Sequence, residues 1–131
     1  MYNVLIIDDS KLVRWSLKEM MKQDDINVVE TESYDQACDC MKTQTFDLIF
    51  FDQEMEREKN LMLIEQLKKL QPKSKVILFT TIDNPINAKL FIALDVYSVV
   101  HKPFNTQDVK TMVIQALGIT SIKNRNDHHD H

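Results

Sequence analysis

The sequence predicts an α/β domain, a parallel five-stranded sheet with five helices covering both faces. Three observations carry this. Short apolar runs of strand length alternate with amphipathic segments of helix length along nearly the whole chain. Three of the runs, VLII at 4–7, FDLIFF at 46–51 and VILF at 76–79, are apolar with little alternation. That is the pattern of strands buried on both faces. The intervening segments are of helix length, as right-handed crossovers between parallel strands require.

Each element has its own reason. The first strand, 4–7, runs into Asp8 and Asp9. Residues 11–22 follow as a helix with Val13, Leu17, Met20 and Met21 at helical spacing, and Ser10 is placed to cap it. Residues 27–31 form a shorter, more polar strand that suits an edge. Residues 33–42 are helical, with Ala37, Cys38 and Met41 on one side. The third strand, 46–51, ends in Asp52. A helix over 60–70 carries Leu61, Ile64, Leu67 and Leu70 on its stripe and stops near Pro72. The fourth strand, 76–79, ends in Thr80 and Thr81; Pro85 opens a helix reaching about Leu94. The fifth strand, 97–100, leads to His101, Lys102 and Pro103. Thr106 is read as the cap of a last helix to Leu117, which Gly118 ends. The domain is thus expected over 1–118, with 119–131 a flexible tail or the start of a linker.

Composition excludes several classes. The chain has 131 residues, 44% hydrophobic and 27% charged, which is one ordinary globular domain. A formal net charge of −4 does not suit nucleic acid phosphates, so no direct nucleic acid binding by this domain is expected. No apolar run is long enough to span a bilayer and no signal-like N-terminus is present, so a cytoplasmic location is expected. Cys38 and Cys40 lie one residue apart on a helix, point in different directions and fit a reducing compartment. The histidine-rich end, NDHHDH, reads as a loose or artificial tail.

In an open parallel sheet, chemistry sits beyond the carboxyl ends of the strands. The polar residues follow that rule: Asp8 and Asp9, Asp52, Thr80 and Lys102 each terminate a strand. Three carboxylates around a small space make a site for a hard cation such as Mg²⁺, which also offsets the repulsion between adjacent aspartates. A lysine and a hydroxyl beside them suit a phosphate oxygen. An aspartate next to Mg²⁺ can itself attack phosphorus. Each piece alone has a blander reading: Asp8-Asp9 as helix-capping residues, Asp52 as a turn residue, Lys102-Pro103 as a loop exit. Their joint placement favours the site.

The array VLIIDDS with Arg14, DLIFFD ending at Asp52, VILFT ending at Thr80, and HKPF at 101–104 resembles the receiver domain of bacterial two-component response regulators. The resemblance covers Tyr2 to about Leu117. It implies a flavodoxin-like, doubly wound sheet of strand order 2-1-3-4-5. It also implies a phosphorylation-dependent switch: a phosphohistidine on a sensor histidine kinase, or on a phosphotransfer protein, gives its phosphoryl group to Asp52. Asp9 matches the direct Mg²⁺ ligand, Asp8 its neighbour acting largely through water, and the Glu54 backbone carbonyl the third protein ligand. Thr80 and Lys102 match the hydroxyl and the ammonium that meet the phosphoryl group. The resemblance further implies remodelling of the face built from the fourth and fifth strands and helices. A homodimer through the fourth helix, fifth strand and fifth helix is the expected self-association. Beyond its own phosphoryl transfer and dephosphorylation, no substrate turnover is expected.

The sequence departs from that family pattern in places. Glu56 stands where proline is usual, and Asn60 where glycine is usual, with a left-handed turn retained by asparagine. Asp95-Val96 replaces a Gly-Ala pair, Thr81 a smaller residue, and Val99 the usual switch aromatic; a signal through this strand is expected to use Val99, with Tyr97 two residues earlier either joining it or standing as a surface aromatic. Glu54 and Ile82 occupy positions that tune acyl phosphate lifetime, and slow self-dephosphorylation is expected. Residues 54–59 read as a solvated charged loop, and Trp15 as an outward-facing aromatic. The alternatives are a pseudo-receiver acting as a constitutive binding module, and a Mg²⁺-dependent phosphatase resembling the haloacid dehalogenase family. The phosphatase is disfavoured because its second aspartate is replaced by Glu54.

Overall fold

A computed structural model of the chain describes residues 1–81 and 92–123. The elements are β1 (Tyr2–Ile7), α1 (Lys11–Met20), β2 (Ile26–Thr31), α2 (Tyr34–Thr43), β3 (Leu48–Asp52), a 3₁₀ turn (Arg57–Lys59), α3 (Asn60–Leu70), β4 (Lys75–Thr81), β5 (Ser98–Lys102) and α4 (Thr106–Leu117). The strands form one parallel sheet in the order β2-β1-β3-β4-β5. The helix expected over 85–94 falls mostly outside the described residues, as do Ile82 and the histidine-rich end.

The continuous apolar runs are explained by two cores. Successive side chains of a strand point to opposite faces. Val4, Ile6, Leu48, Phe50, Ile77 and Phe79 therefore line one face with α1 and α4. Leu5, Ile7, Ile49, Phe51, Val76 and Leu78 line the other with α2 and α3. With both faces covered, no position along these strands is left for a polar residue until the strand ends.

Helix ends follow local chemistry. The Ser10 hydroxyl accepts from the Val13 N–H at 3.3 Å, and Ser33 accepts from Gln36 N–H at 3.2 Å. Asn105, not Thr106, caps α4, its carbonyl accepting from Gln107 N–H at 2.8 Å. Gly118 closes that helix in the left-handed region at φ 68°.

Three further expectations are corrected. The buried stripe of α3 is Leu63, Ile64 and Leu67, while Leu61 and Leu70 are exposed. Asn60 is right-handed at φ −57°, because the 3₁₀ turn before it leads straight into α3. Asp95 instead takes the left-handed conformation at φ 57°, doing the work of the glycine it replaces. And the segment after α4 is not loose as far as Lys123. Ile119 packs against the core, Ile122 is buried in it, and Lys123 N–H donates to Gln23 Oε1 at 3.0 Å.

Candidate functional site

The strand order brings the carboxyl ends of β1, β3, β4 and β5 side by side. Thr80 pairs in register with His101 and Thr81 with Lys102, and Asp52 pairs with Phe79. Asp8, Asp52, Thr80 and Lys102 therefore meet at one edge, although 94 residues separate the first from the last.

Lys102 is the centre of the cluster. Its Nζ lies 2.8 Å from Asp8 Oδ2 and 3.3 Å from Asp52 Oδ2. The ammonium also stands 5.6 Å from the centre of the Phe79 ring, which stacks on Phe50 and Phe104. Asp8 and Asp52 are buried, and Asp9 is exposed. Asp8 Oδ1 accepts from Ser10 N–H at 2.8 Å, and Asp52 Oδ1 from Glu54 N–H at 3.0 Å. The Lys102–Pro103 peptide is cis.

The electrostatics follow from burial and charge count. Burial, then the charge of Asp8, pushes the Asp52 carboxyl above its ordinary value, against the Glu54 N–H and Lys102, which lower it. Burial alone would lower Lys102, but the hydrogen bond and charge of Asp8, joined by Asp52, raise it. Asp8, Asp9 and Asp52 each offer a carboxylate oxygen within 4.8 Å of the others. The Lys102 ammonium pairs with two of these three carboxylates, so charge remains to be offset. That donor set, all hard oxygen, fits a divalent cation of the Mg²⁺ type.

Thr80 is fully buried at the end of β4. The Gln53 Nε2 amide donates to its hydroxyl at 3.2 Å. Among the described residues its own proton has two acceptors in reach, Glu54 Oε1 at 3.3 Å and the Thr81 carbonyl at 3.4 Å.

Gln53 was missed by sequence reasoning, and other contributors were read only in part. Arg14 is largely covered; its guanidinium donates to the Asp8 carbonyl at 2.7 Å and pairs with Glu30 at 3.6 Å. Its spacing after Asp8 was the available signal. Gln53 is buried, and its Oε1 has no hydrogen-bond partner among the described residues; no pattern in the sequence marks it. Glu54 turns inward from the charged loop, whereas Glu56, Arg57, Glu58 and Lys59 remain exposed as expected. Tyr97 is partly exposed with the Lys75 ammonium 5.3 Å above its ring. Trp15 is exposed, as expected.

Comparison with known proteins decides the family. The model of the response regulator receiver domain matches residues 4–114. The chain belongs to the response regulator receiver family. Among curated relatives, it is 29% identical over 112 residues to the sensory transduction protein LytT of Bacillus subtilis, covering 84% of this chain and 46% of LytT. It is 28% identical over 126 residues to LytR of Staphylococcus haemolyticus, covering 95% of this chain and 48% of LytR. The receiver thus spans about half the length of these relatives. Among solved structures, the receiver domain of the TMAO respiratory system response regulator TorR superposes with a TM-score of 0.79 at 23% identity, covering 90% of this chain and 98% of that one. The doubly wound order 2-1-3-4-5 is the same fold. Among the described residues, no helix is long and apolar enough to cross a membrane.

Proposed function

We propose that this receiver is a phosphorylation-dependent switch in which Asp52 accepts a phosphoryl group from a phosphohistidine of a sensor kinase or phosphotransfer protein. The observation that carries the reading is the buried Asp52 carboxylate, set between Lys102 and two further carboxylates at the carboxyl edge of the sheet. In the step, an Asp52 oxygen forms the new bond to phosphorus, the phosphorus–nitrogen bond of the donor breaks, and the released imidazole takes up a proton. Asp8, Asp9, Asp52 and the Glu54 main-chain carbonyl would hold Mg²⁺, which supplies positive charge opposite the phosphoryl oxygens. Lys102 draws the carboxylates together and stands ready to pair with the new dianion. Thr80 offers its hydroxyl from the next strand. The rearrangement then travels through β4 and β5, where Val99, with Tyr97 just before the strand, stands in for a switch aromatic.

The receiver unit is assigned to 1–118, with residues 119–123 folded back onto it. A cytoplasmic location and homodimer formation through the helix expected over 85–94, β5 and α4 belong to the same reading.

The test is loading from phosphoramidate with and without Mg²⁺. One phosphoryl group should be gained with Mg²⁺ and lost from the product when the cation is replaced by a chelator before loading. Equal loading in both conditions would sink the metal assignment. The second reading, a pseudo-receiver with constitutive contacts, has one observation in its favour: the Thr80 and Thr81 donors are already taken by Glu54. It predicts neither loading from any donor nor Mg²⁺ binding.

A further inference from the structure

We propose that the Glu54 side chain is the resident anion of the subsite meant for a phosphoryl oxygen, so that loading Asp52 requires its displacement. The proposal rests on the receiver reading above and concerns the regulation of that same site.

The geometry is that of an anion in a prepared nest. One carboxylate oxygen, Glu54 Oε1, is met by the Thr81 N–H at 3.3 Å, the Thr81 hydroxyl at 3.2 Å and the Thr80 hydroxyl at 3.3 Å. All three donors come from the end of β4. The other oxygen, Oε2, accepts from Arg57 Nε at 2.9 Å and also pairs with the Arg57 terminal nitrogen. The Glu54 side chain is 16% exposed and that of Arg57 59% exposed. Arg57 therefore covers the carboxylate from the solvent side while Thr80 and Thr81 hold it from the protein side.

The main chain makes the competition unavoidable. Glu54 N–H donates to Asp52 Oδ1, so the residue whose side chain fills the nest is tied directly to the proposed phosphoacceptor. A phosphoryl group on Asp52 brings three acceptor oxygens into the same space, and Glu54 Oε1 holds donors they would use. Two anions cannot share those donors without mutual repulsion. Hydrogen bonds to a charged group each contribute more than neutral ones, so the exchange carries a barrier set by this chain's own residues. Gln53 directs the competition: its amide donates to the Thr80 oxygen, which leaves the Thr80 proton free to point at whichever anion occupies the nest. Arg57, three residues on in the exposed 3₁₀ turn, offers Glu54 a partner it keeps when it swings outward.

Phosphoramidate loading at saturating Mg²⁺ tests this with the full chain, comparing wild type, Glu54→Ala, Glu54→Gln and Asp52→Asn. Both Glu54 variants retain the main-chain carbonyl proposed as a metal ligand. Glu54→Ala should load about tenfold faster than wild type, the rate change that ~1.4 kcal/mol corresponds to. Glu54→Gln, still an acceptor but uncharged, should fall between them. The Thr81 amide should exchange faster with solvent in Glu54→Ala, a readout independent of loading. If wild type loads and Glu54→Ala is no faster, or the Thr81 amide is unchanged, the proposal is overturned while the receiver reading stands. If no chain loads, the receiver reading fails and the proposal fails with it.

Discussion

Lys102 and Asp52 pull stability in opposite directions, and the signs follow from their surroundings. Lys102 is raised in the folded chain, since Asp8 and Asp52 outweigh the cost of its burial. Its pairing therefore stabilises fully below the ordinary lysine value of 10.5 and is lost as pH climbs through the raised value. Asp52 is also raised, by burial first and by Asp8 second, so ionising it opposes folding. That opposition is present at neutral pH and is relieved as pH falls through the raised value. Without divalent cation, Asp52→Asn should accordingly melt a few degrees higher than wild type at neutral pH by circular dichroism, and the gap should narrow on acidification. Lys102→Met should do the reverse. It strands two buried carboxylates and should cost on the order of 3 kcal/mol in a urea titration, a loss that Mg²⁺ partly restores. The residue scale also shows what a sequence can reveal about a site. Asp8, Asp52, Thr80 and Lys102 were legible because each ends an apolar run. Gln53, Arg57 and the inward turn of the Glu54 side chain were not, because a turn's side chains have no period, and whether one points inward depends on the neighbouring strand.

Elements were legible wherever burial imposes a pattern. The double-sided burial of β1, β3 and β4 wrote itself into continuous apolar runs, which is why the sheet could be read directly. Helix α3 misled because Leu61, Ile64, Leu67 and Leu70 fit a helical stripe as well as Leu63, Ile64 and Leu67 do; only packing on the sheet chooses between them. Caps misled by one residue, Asn105 for Thr106, since both side chains can accept a backbone N–H. The turn before β5 is the most informative element. Asp95 is left-handed there, a conformation its short polar side chain tolerates and a β-branched one does not. Asp95→Val should therefore destabilise the domain by about 1–2 kcal/mol, whereas Asp95→Gly should leave the melting temperature almost unchanged. Equal melting of the two variants would show that the turn adjusts freely.

At the scale of the whole molecule, the receiver does not end where its last helix does. Gly118 turns the chain back, and Ile122 fills the core shared by β1, β3, α1 and α4. A buried isoleucine trimmed to alanine loses transfer energy and leaves a cavity. Ile122→Ala should cost about 2–4 kcal/mol, and a chain ending at residue 118 should be less stable than one ending at 123. No pattern marked it in advance, because an isoleucine in a short polar stretch carries no periodicity. The proposed switch as a whole turns on one residue. Its most direct measurement is intact mass, with peptide mapping, after incubation with acetyl phosphate and Mg²⁺. One phosphoryl group mapped to Asp52 in wild type and absent from Asp52→Asn is the predicted result. Loading at another residue, or equal loading of Asp52→Asn, would contradict it.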